Sequence, residues 1–330
     1  MQGKVVVITG ASSGVGRSCV REFARQGARI ALIARGRDGL EAAEREVEEL
    51  GGRALVVPLD VADAGAVESA AAAVEAQLGP IDVWVNNAML SVFSPVAELS
   101  AEEVRRVTEV TYLGYVHGTL SALRRMRPRD HGVIIQVGSA LAYRAIPFQA
   151  AYCAAKHAIE GFTEALRCEL LHDGSNVRVT MVQLPALNTP HFSVVRTRLP
   201  RHPQPVPPIF QPELAARAVA FAAEHPRREL WIAGSTVRAL LGNKFVPGLL
   251  DHYLGRTAYD AQQAGLRAAR DRSDNLTSPL PGDRGAHGIF DREAHSRSLQ
   301  FLALIHARLL AAGAVAAAAA AALVMRREPR

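Results

Sequence analysis

Tyr152 and Lys156 stand four residues apart, and Ser139 lies thirteen residues before the tyrosine. On a helix the first two share one face. A phenol with an ordinary pKa of about 10 is a poor acid at neutral pH. A unit charge about 4 Å away, at an effective dielectric of about 20, is worth roughly 4 kcal/mol, enough to draw the phenol toward 7. Tyr152 is thus a candidate general acid/base with Lys156 as its electrostatic partner. Ser139 follows the apolar run Gly132-Val133-Ile134-Ile135-Gln136-Val137. That places its hydroxyl at the carboxyl end of a strand, where open α/β sheets bind their ligands. Alone, each piece has an ordinary explanation: an exposed helical pair, or a serine capping a turn.

A second group precedes them. Val5-Val6-Val7-Ile8 reads as a buried strand, Thr9-Gly10-Ala11-Ser12-Ser13-Gly14-Val15-Gly16 as a glycine-rich turn, and Arg17 to Gln26 as a helix. Such a unit lets the backbone approach a pyrophosphate, whose charge sits at the helix N-terminus. The spacing G-x-x-x-G-x-G differs from the G-x-G-x-x-G dinucleotide pattern, and an ordinary tight turn is the alternative. Joined to the downstream residues, the pattern expects a nicotinamide cofactor that supplies a hydride and a tyrosine that supplies a proton. The next strand, Arg29 to Ala34, ends without the carboxylate that would hold the 2′-hydroxyl of NAD. Arg35 and Arg37 follow it, and arginine suits a 2′-phosphate, so NADP(H) is the expected cofactor. The alternative is that both are solvated loop charges.

Over about residues 3 to 240 the chain resembles the short-chain dehydrogenase/reductase family. Thr9 to Gly16 is similar to its TGxxxGxG turn, Asn86-Asn87-Ala88 to most of NNAG, and Pro185 to Thr189 to PGxxxT. Ser139, Tyr152 and Lys156 match the catalytic triplet. The resemblance implies a Rossmann-type doubly wound parallel α/β sheet. It implies carbonyl/alcohol interconversion with NADP(H). The implied cofactor residues are Gly10, Ser12, Ser13, Gly14, Val15, Gly16, Arg35, Asp60, Val61, Asn87, Ala88, Tyr152, Lys156, Pro185 and Thr189. Asp60 would meet the adenine, and Thr189 the nicotinamide amide. Three positions depart from the pattern. Met89 ends NNAG, Ala186 follows Pro185, and Thr111 stands where an asparagine three residues before a glycine, here Gly114, serves a proton relay. Thr111 is expected at that relay position, with only a hydroxyl to offer. A nucleotide-binding sensor or scaffold of the same fold, without turnover, is the competing expectation.

Composition bounds the remainder. The 330 residues carry 38 Lys and Arg against 32 Asp and Glu, a net charge of +6. The basic residues are scattered and aromatics sparse, so a nucleic-acid partner is not expected. Cys19, Cys153 and Cys168 show neither disulfide nor metal spacing, and no metal is expected. The first strand starts within a few residues of Met1, so a cytoplasmic location without a secretory signal is expected. Asn188 to Gln211 holds six prolines and reads as a long loop, of a length that suits a lid or binding element; the family resemblance implies that it covers the substrate. The domain reading is residues 1–245 as a single NADP-binding domain holding every motif, 246–298 as extension and linker, and 299–325 as a hydrophobic Ala-rich helix. Leu309 to Met325 carries no charge, and membrane anchoring through this helix is the reading taken. A water-soluble alanine helix is the alternative. The expected partner is a small carbonyl or alcohol, lipophilic if the tail is membrane-bound. A homo-oligomer is also expected.

Overall fold

The computed structural model describes residues 1–268 and 272–307. Seven short apolar runs form the strands of one sheet: β1 Val5–Thr9, β2 Arg29–Ala34, β3 Arg53–Pro58, β4 Ile81–Asn86, β5 Val133–Val137, β6 Arg178–Gln183 and β7 Glu229–Trp231. All are parallel, in the order β7-β6-β5-β4-β1-β2-β3. Parallel strands joined by crossover helices are covered on both faces, which is why these runs are continuously apolar rather than alternating. Along β1, Val6 and Ile8 enter one core and Val5 and Val7 the other; Ile30 and Leu32 against Ala31 and Ile33 repeat the division on β2.

The first core packs beneath α1 Gly14–Arg25, α2 Arg37–Glu49 and α7 Pro212–Glu224. The second lies under α3 Ala64–Leu78, α4 Ala101–Thr108, α5 Gly114–Met126 and α6 Ala150–His172. This is the doubly wound α/β fold expected. Strand order reverses between β1 and β4, and a crevice opens there at the strands' carboxyl ends. Helices α4 and α5 are one continuous rod interrupted by a π turn, Glu109–Leu113. Such turns are rare inside α-helices and gather at functional sites.

The region expected as an irregular loop is pinned at several points. His191–Val194 forms one helical turn, Arg196–Thr197 pairs with Val92–Phe93, and Arg201–Pro203 pairs with Gln263–Arg267. The extension from residue 246, and the helix just before it, pack onto the domain, including the polar 274–292 stretch whose composition reads as a linker. Helices α8 Gly234–Phe245 and α9 Pro247–Ala261 lie beside the Tyr143–Gln149 loop: Asn243 donates to the Tyr143 carbonyl at 2.8 Å, and Gln262 to that of Pro147 at 2.9 Å. Residues 274–298 then run back across the crevice, with Leu276 buried in the second core. Helix α10 Leu299–Ile305 seats Phe301 against Phe221 of α7. Among the described residues no helix is long and apolar enough to cross a membrane. The anchor expectation finds no support there, and Leu309 to Met325, on which it mainly rested, lie outside the described residues.

Candidate active site

The turn after β1 is shaped by what its glycines leave out. Gly10 and Gly14 have φ of +69° and +57°, the left-handed region that favours glycine. A Cβ on Gly16 would sit 2.0 Å from the Gly10 carbonyl oxygen, so the first turn of α1 can pass beneath the loop only without a side chain there. Thr9 locks the turn to β4. Its hydroxyl donates to the Val85 carbonyl and accepts from the amides of Asn87 at 2.9 Å and Ala88 at 3.1 Å. Asn87 returns a bond from its amide to the Thr9 carbonyl at 2.9 Å.

Beyond this turn lies a cleft of about 230 Å³. Of the residues expected to hold a cofactor, Gly10, Ser12, Ser13, Gly14, Val15, Arg35, Asp60, Val61, Asn87, Ala88 and Thr189 line it; Gly16, Pro185, Tyr152 and Lys156 do not. Gly16 acts from below, as a shape requirement. The cleft has the features of a nucleotide site, a glycine-rich backbone turn at a helix N-terminus.

One wall was not anticipated. Asn275, Pro279, Leu280, Gly282 and Arg284 line the same cleft. The Arg35 guanidinium donates to the carbonyls of Asn275 at 2.5 Å, Thr277 at 3.1 Å and Leu276 at 3.3 Å. The Gly285 carbonyl accepts from the Gly14 amide at 3.0 Å, at the head of α1. Asp60 is likewise engaged, paired with Arg106, which also donates to the Leu276 carbonyl. Nothing in the sequence tied Arg106 or the 275–285 strip to this cleft; Asn275-Leu276-Thr277 matches a glycosylation sequon by pattern only.

The catalytic candidates gather at the ends of β5 and α6. Ser139 follows β5; its amide donates to Gln183 Oε1 at 2.8 Å, and its hydroxyl accepts from the Leu141 amide at 3.1 Å, capping a short turn. The capping explanation therefore holds, and it does not exclude the chemical one. Burial pushes the Tyr152 phenol above its usual range, with a Ser139 hydrogen bond pulling it back. Lys156 is buried beneath. Its ammonium donates to the Val137 carbonyl at 2.7 Å and to the Tyr115 hydroxyl at 3.0 Å, and lies 5.6 Å from the Tyr152 ring centre. Burial lowers its own pKa to about 7. The simple expectation of a lysine pulling the phenol down is therefore not what the resting site shows. Burial disfavours the Lys156 ammonium and the Tyr152 phenolate alike, so it acts against both charges directly.

Thr111 does not reach Lys156. Its hydroxyl donates to the Leu90 carbonyl and accepts from the Leu90 amide, both at 2.9 Å. Tyr115, one turn on, is the group beside the lysine, and sequence reasoning passed over it. Beneath it lies a buried polar network. Asn86 accepts from Trp84 Nε1 at 2.9 Å and donates to Thr119 at 3.0 Å and Gln136 at 2.9 Å. It ties β4, β5 and α5 together under the site.

Residues 4–199 match the family model described as short chain dehydrogenase. The chain belongs to the short-chain dehydrogenase family. An uncharacterized oxidoreductase, YxnA of Bacillus subtilis, is 34% identical over 268 residues, covering 80% of this chain and 75% of its own. The mouse dehydrogenase/reductase SDR family member 7B is 35% identical over 186 residues, 55% of this chain and 57% of its own. Among solved structures, an alcohol dehydrogenase of the archaeon Thermococcus sibiricus, complexed with 5-hydroxy-NADP, superposes with a TM-score of 0.60 at 30% identity. It covers 69% of this chain and 94% of its own. A metagenomic short-chain oxidoreductase in complex with NADP gives 0.59 at 27% identity, with 70% and 96% covered. Membership makes the chain an oxidoreductase-family protein with a nicotinamide-nucleotide fold. The solved relatives are nearly spanned by this chain, whereas about three-tenths of this chain has no counterpart in them.

Proposed function

We propose that this protein interconverts a carbonyl and an alcohol with NADP(H), through Ser139, Tyr152 and Lys156. The observation that carries the reading is the buried lysine beneath the tyrosine, with Ser139 at the same strand end. A lysine is buried at a loss unless its charge is used. When bound in the cleft, the nicotinamide supplies or accepts the hydride. Tyr152 gives the proton to the carbonyl oxygen, or takes it from the alcohol. Ser139 holds that oxygen with its hydroxyl, and Lys156 stabilises the phenolate left on Tyr152. Gly10, Ser12, Ser13, Gly14 and Val15 would receive the phosphates, Asp60 and Val61 the adenine side, and Asn87, Ala88 and Thr189 the nicotinamide half. Arg35 supports NADP(H) over NAD(H), and Arg284 adds a second guanidinium to the cleft wall.

A non-catalytic nucleotide sensor is favoured by one specific observation. Backbone carbonyls of residues 275–277 and 285 already accept from Arg35 and the Gly14 amide, so a nucleotide bound in the cleft would be felt directly by the chain's own C-terminal segment. The two readings separate in one assay. Purified protein is screened against aldehydes and ketones, benzaldehyde and cyclohexanone among them, with NADPH absorbance as readout, and NADPH binding is measured in parallel. Turnover that falls at least about a hundredfold in Tyr152→Phe, with NADPH binding intact, is the expected result. NADPH binding without turnover on the panel overturns the enzymatic reading.

A further inference from the structure

The relay position of the helix is where this chain leaves its family's pattern, and the geometry there is specific. Thr111 lies in the π turn Glu109–Leu113 and spends both sides of its hydroxyl on Leu90. A π turn accommodates one extra residue, which rotates everything after it by about 100° relative to an uninterrupted helix. Tyr115 follows that turn. It is buried against Ile159 and Met181, with its hydroxyl directed at the end of β5. That hydroxyl donates to the Val137 carbonyl at 2.9 Å and accepts from Lys156 Nζ at 3.0 Å, while Nζ also donates to Val137 at 2.7 Å. The three groups close a triangle. The Tyr115 backbone is fixed as well, its carbonyl accepting from Asn86 at 3.3 Å.

We infer that Tyr115 is a positioning residue for the proposed reaction. Its hydroxyl holds the Lys156 ammonium beside Tyr152, in place of a relay through Thr111. This rests on the oxidoreductase reading above. The chemistry follows from donor and acceptor counts. An ammonium has three donors, and two are met by Val137 and Tyr115. The third is left for the side of Tyr152 and of a bound ribose. Tyr115 is a neutral acceptor that cannot displace the charge. The titratable side chains facing the ammonium are Tyr152 from its own helix and Tyr115 from α5. Among the described residues it meets from β5 only the backbone carbonyl of Val137, and burial is the cause of its lowered pKa. Loss of the Tyr115 acceptor therefore destabilises the charged lysine with nothing to compensate. The reaction needs that charge, so activity is lost as pH rises through a lysine pKa that has moved down.

The test compares wild type, Tyr115→Phe, Thr111→Val and Tyr152→Phe on whichever panel carbonyl the wild type reduces, as kcat across pH. Tyr115→Phe is expected to lower kcat about tenfold at pH 7 and to move the alkaline limb about one pH unit lower. Thr111→Val should keep the wild-type limb. A structural role alone would lower the melting temperature without moving the limb. Should Tyr115→Phe not fold, 3-fluorotyrosine at position 115 keeps ring and hydroxyl but weakens the oxygen as an acceptor, and must shift the limb the same way by less. An unmoved limb in either variant, with Tyr152→Phe inactive, overturns the role of Tyr115 while leaving the reading of the site intact. Full activity in Tyr152→Phe overturns both.

Discussion

Replacing Lys156 by methionine should abolish turnover and, at the same time, make the protein more stable. Burial lowers the lysine from 10.5 to about 7 in the folded chain. Because the folded value is depressed, the unfolded chain binds more protons between about pH 7 and 10.5, so stability rises with pH across that window. At pH 7 the penalty is about 4 kcal/mol, from 1.36 kcal/mol per decade. The hydrogen bonds to Tyr115 and Val137 offset part of it. Methionine fills a similar volume, and no donor is orphaned, since the Tyr115 hydroxyl keeps Val137 as acceptor. A net gain of about 1–3 kcal/mol at pH 7 is expected for Lys156→Met, a few degrees in melting temperature. Near pH 9.5 the lysine's own penalty shrinks to about 1 kcal/mol. Urea unfolding of both proteins at the two pH values measures the gap. A methionine variant less stable than wild type at pH 7, or a gap that does not narrow toward pH 9.5, would refute the picture of a desolvated lysine held for function.

Arg35→Asp should weaken NADPH binding about 10–100-fold, the scale of a lost charge-assisted contact, and leave NADH less affected. Equal losses for both cofactors, by fluorescence titration, would mean that Arg35 only anchors the 275–277 carbonyls. A chain ending at Ala268 should lose at least tenfold in NADPH affinity and about 2 kcal/mol of stability through the absent Leu276 side chain, because a wall of the cleft goes with it. A chain ending at Ala307 should bind as the full chain does; identical affinity in all three would reduce the 275–285 strip to packing.

The sheet and the cofactor turn were legible because both are local. Val5–Ile8 must be buried on two faces, and Gly16 is dictated by a carbonyl 2.0 Å from its missing side chain. That Ser139, Tyr152 and Lys156 come together was legible because the last two sit at helical spacing and Ser139 at a strand end. Tyr115 was not, because an uninterrupted helix gives no reason to prefer it to Thr111 as the neighbour of Lys156. Only the π turn does that, and nothing in Val110-Thr111-Tyr112-Leu113 announces one. The engagement of Arg35 and Asp60 was hidden for a different reason. Their partners lie 240 and 46 residues away, and such pairings leave no periodic trace.

The extension shows why composition misled. Residues 274–285 are polar and rich in proline and glycine, which on sequence alone marks a segment that cannot build a core. That same property suits it to its place. Pro279, Pro281 and Gly282 keep the strip out of helix and sheet, so its carbonyls are not consumed by regular backbone pairing. Four arginines approach the strip and its flanks. Arg35 takes Asn275, Leu276 and Thr277, and Arg106 shares Leu276; Arg17, almost fully buried, takes Asp283; Arg196 takes Asp274 at 2.8 Å. A buried guanidinium needs acceptors for its donors, and an irregular backbone presents several in a row. The +6 chain thus satisfies part of its excess of arginine with backbone oxygen rather than with carboxylate. Of these four, Arg17, Arg106 and Arg196 are paired with the carboxylates of Asp283, Asp60 and Asp274, whereas the neutral acceptors at Arg35 leave its charge for an anionic ligand.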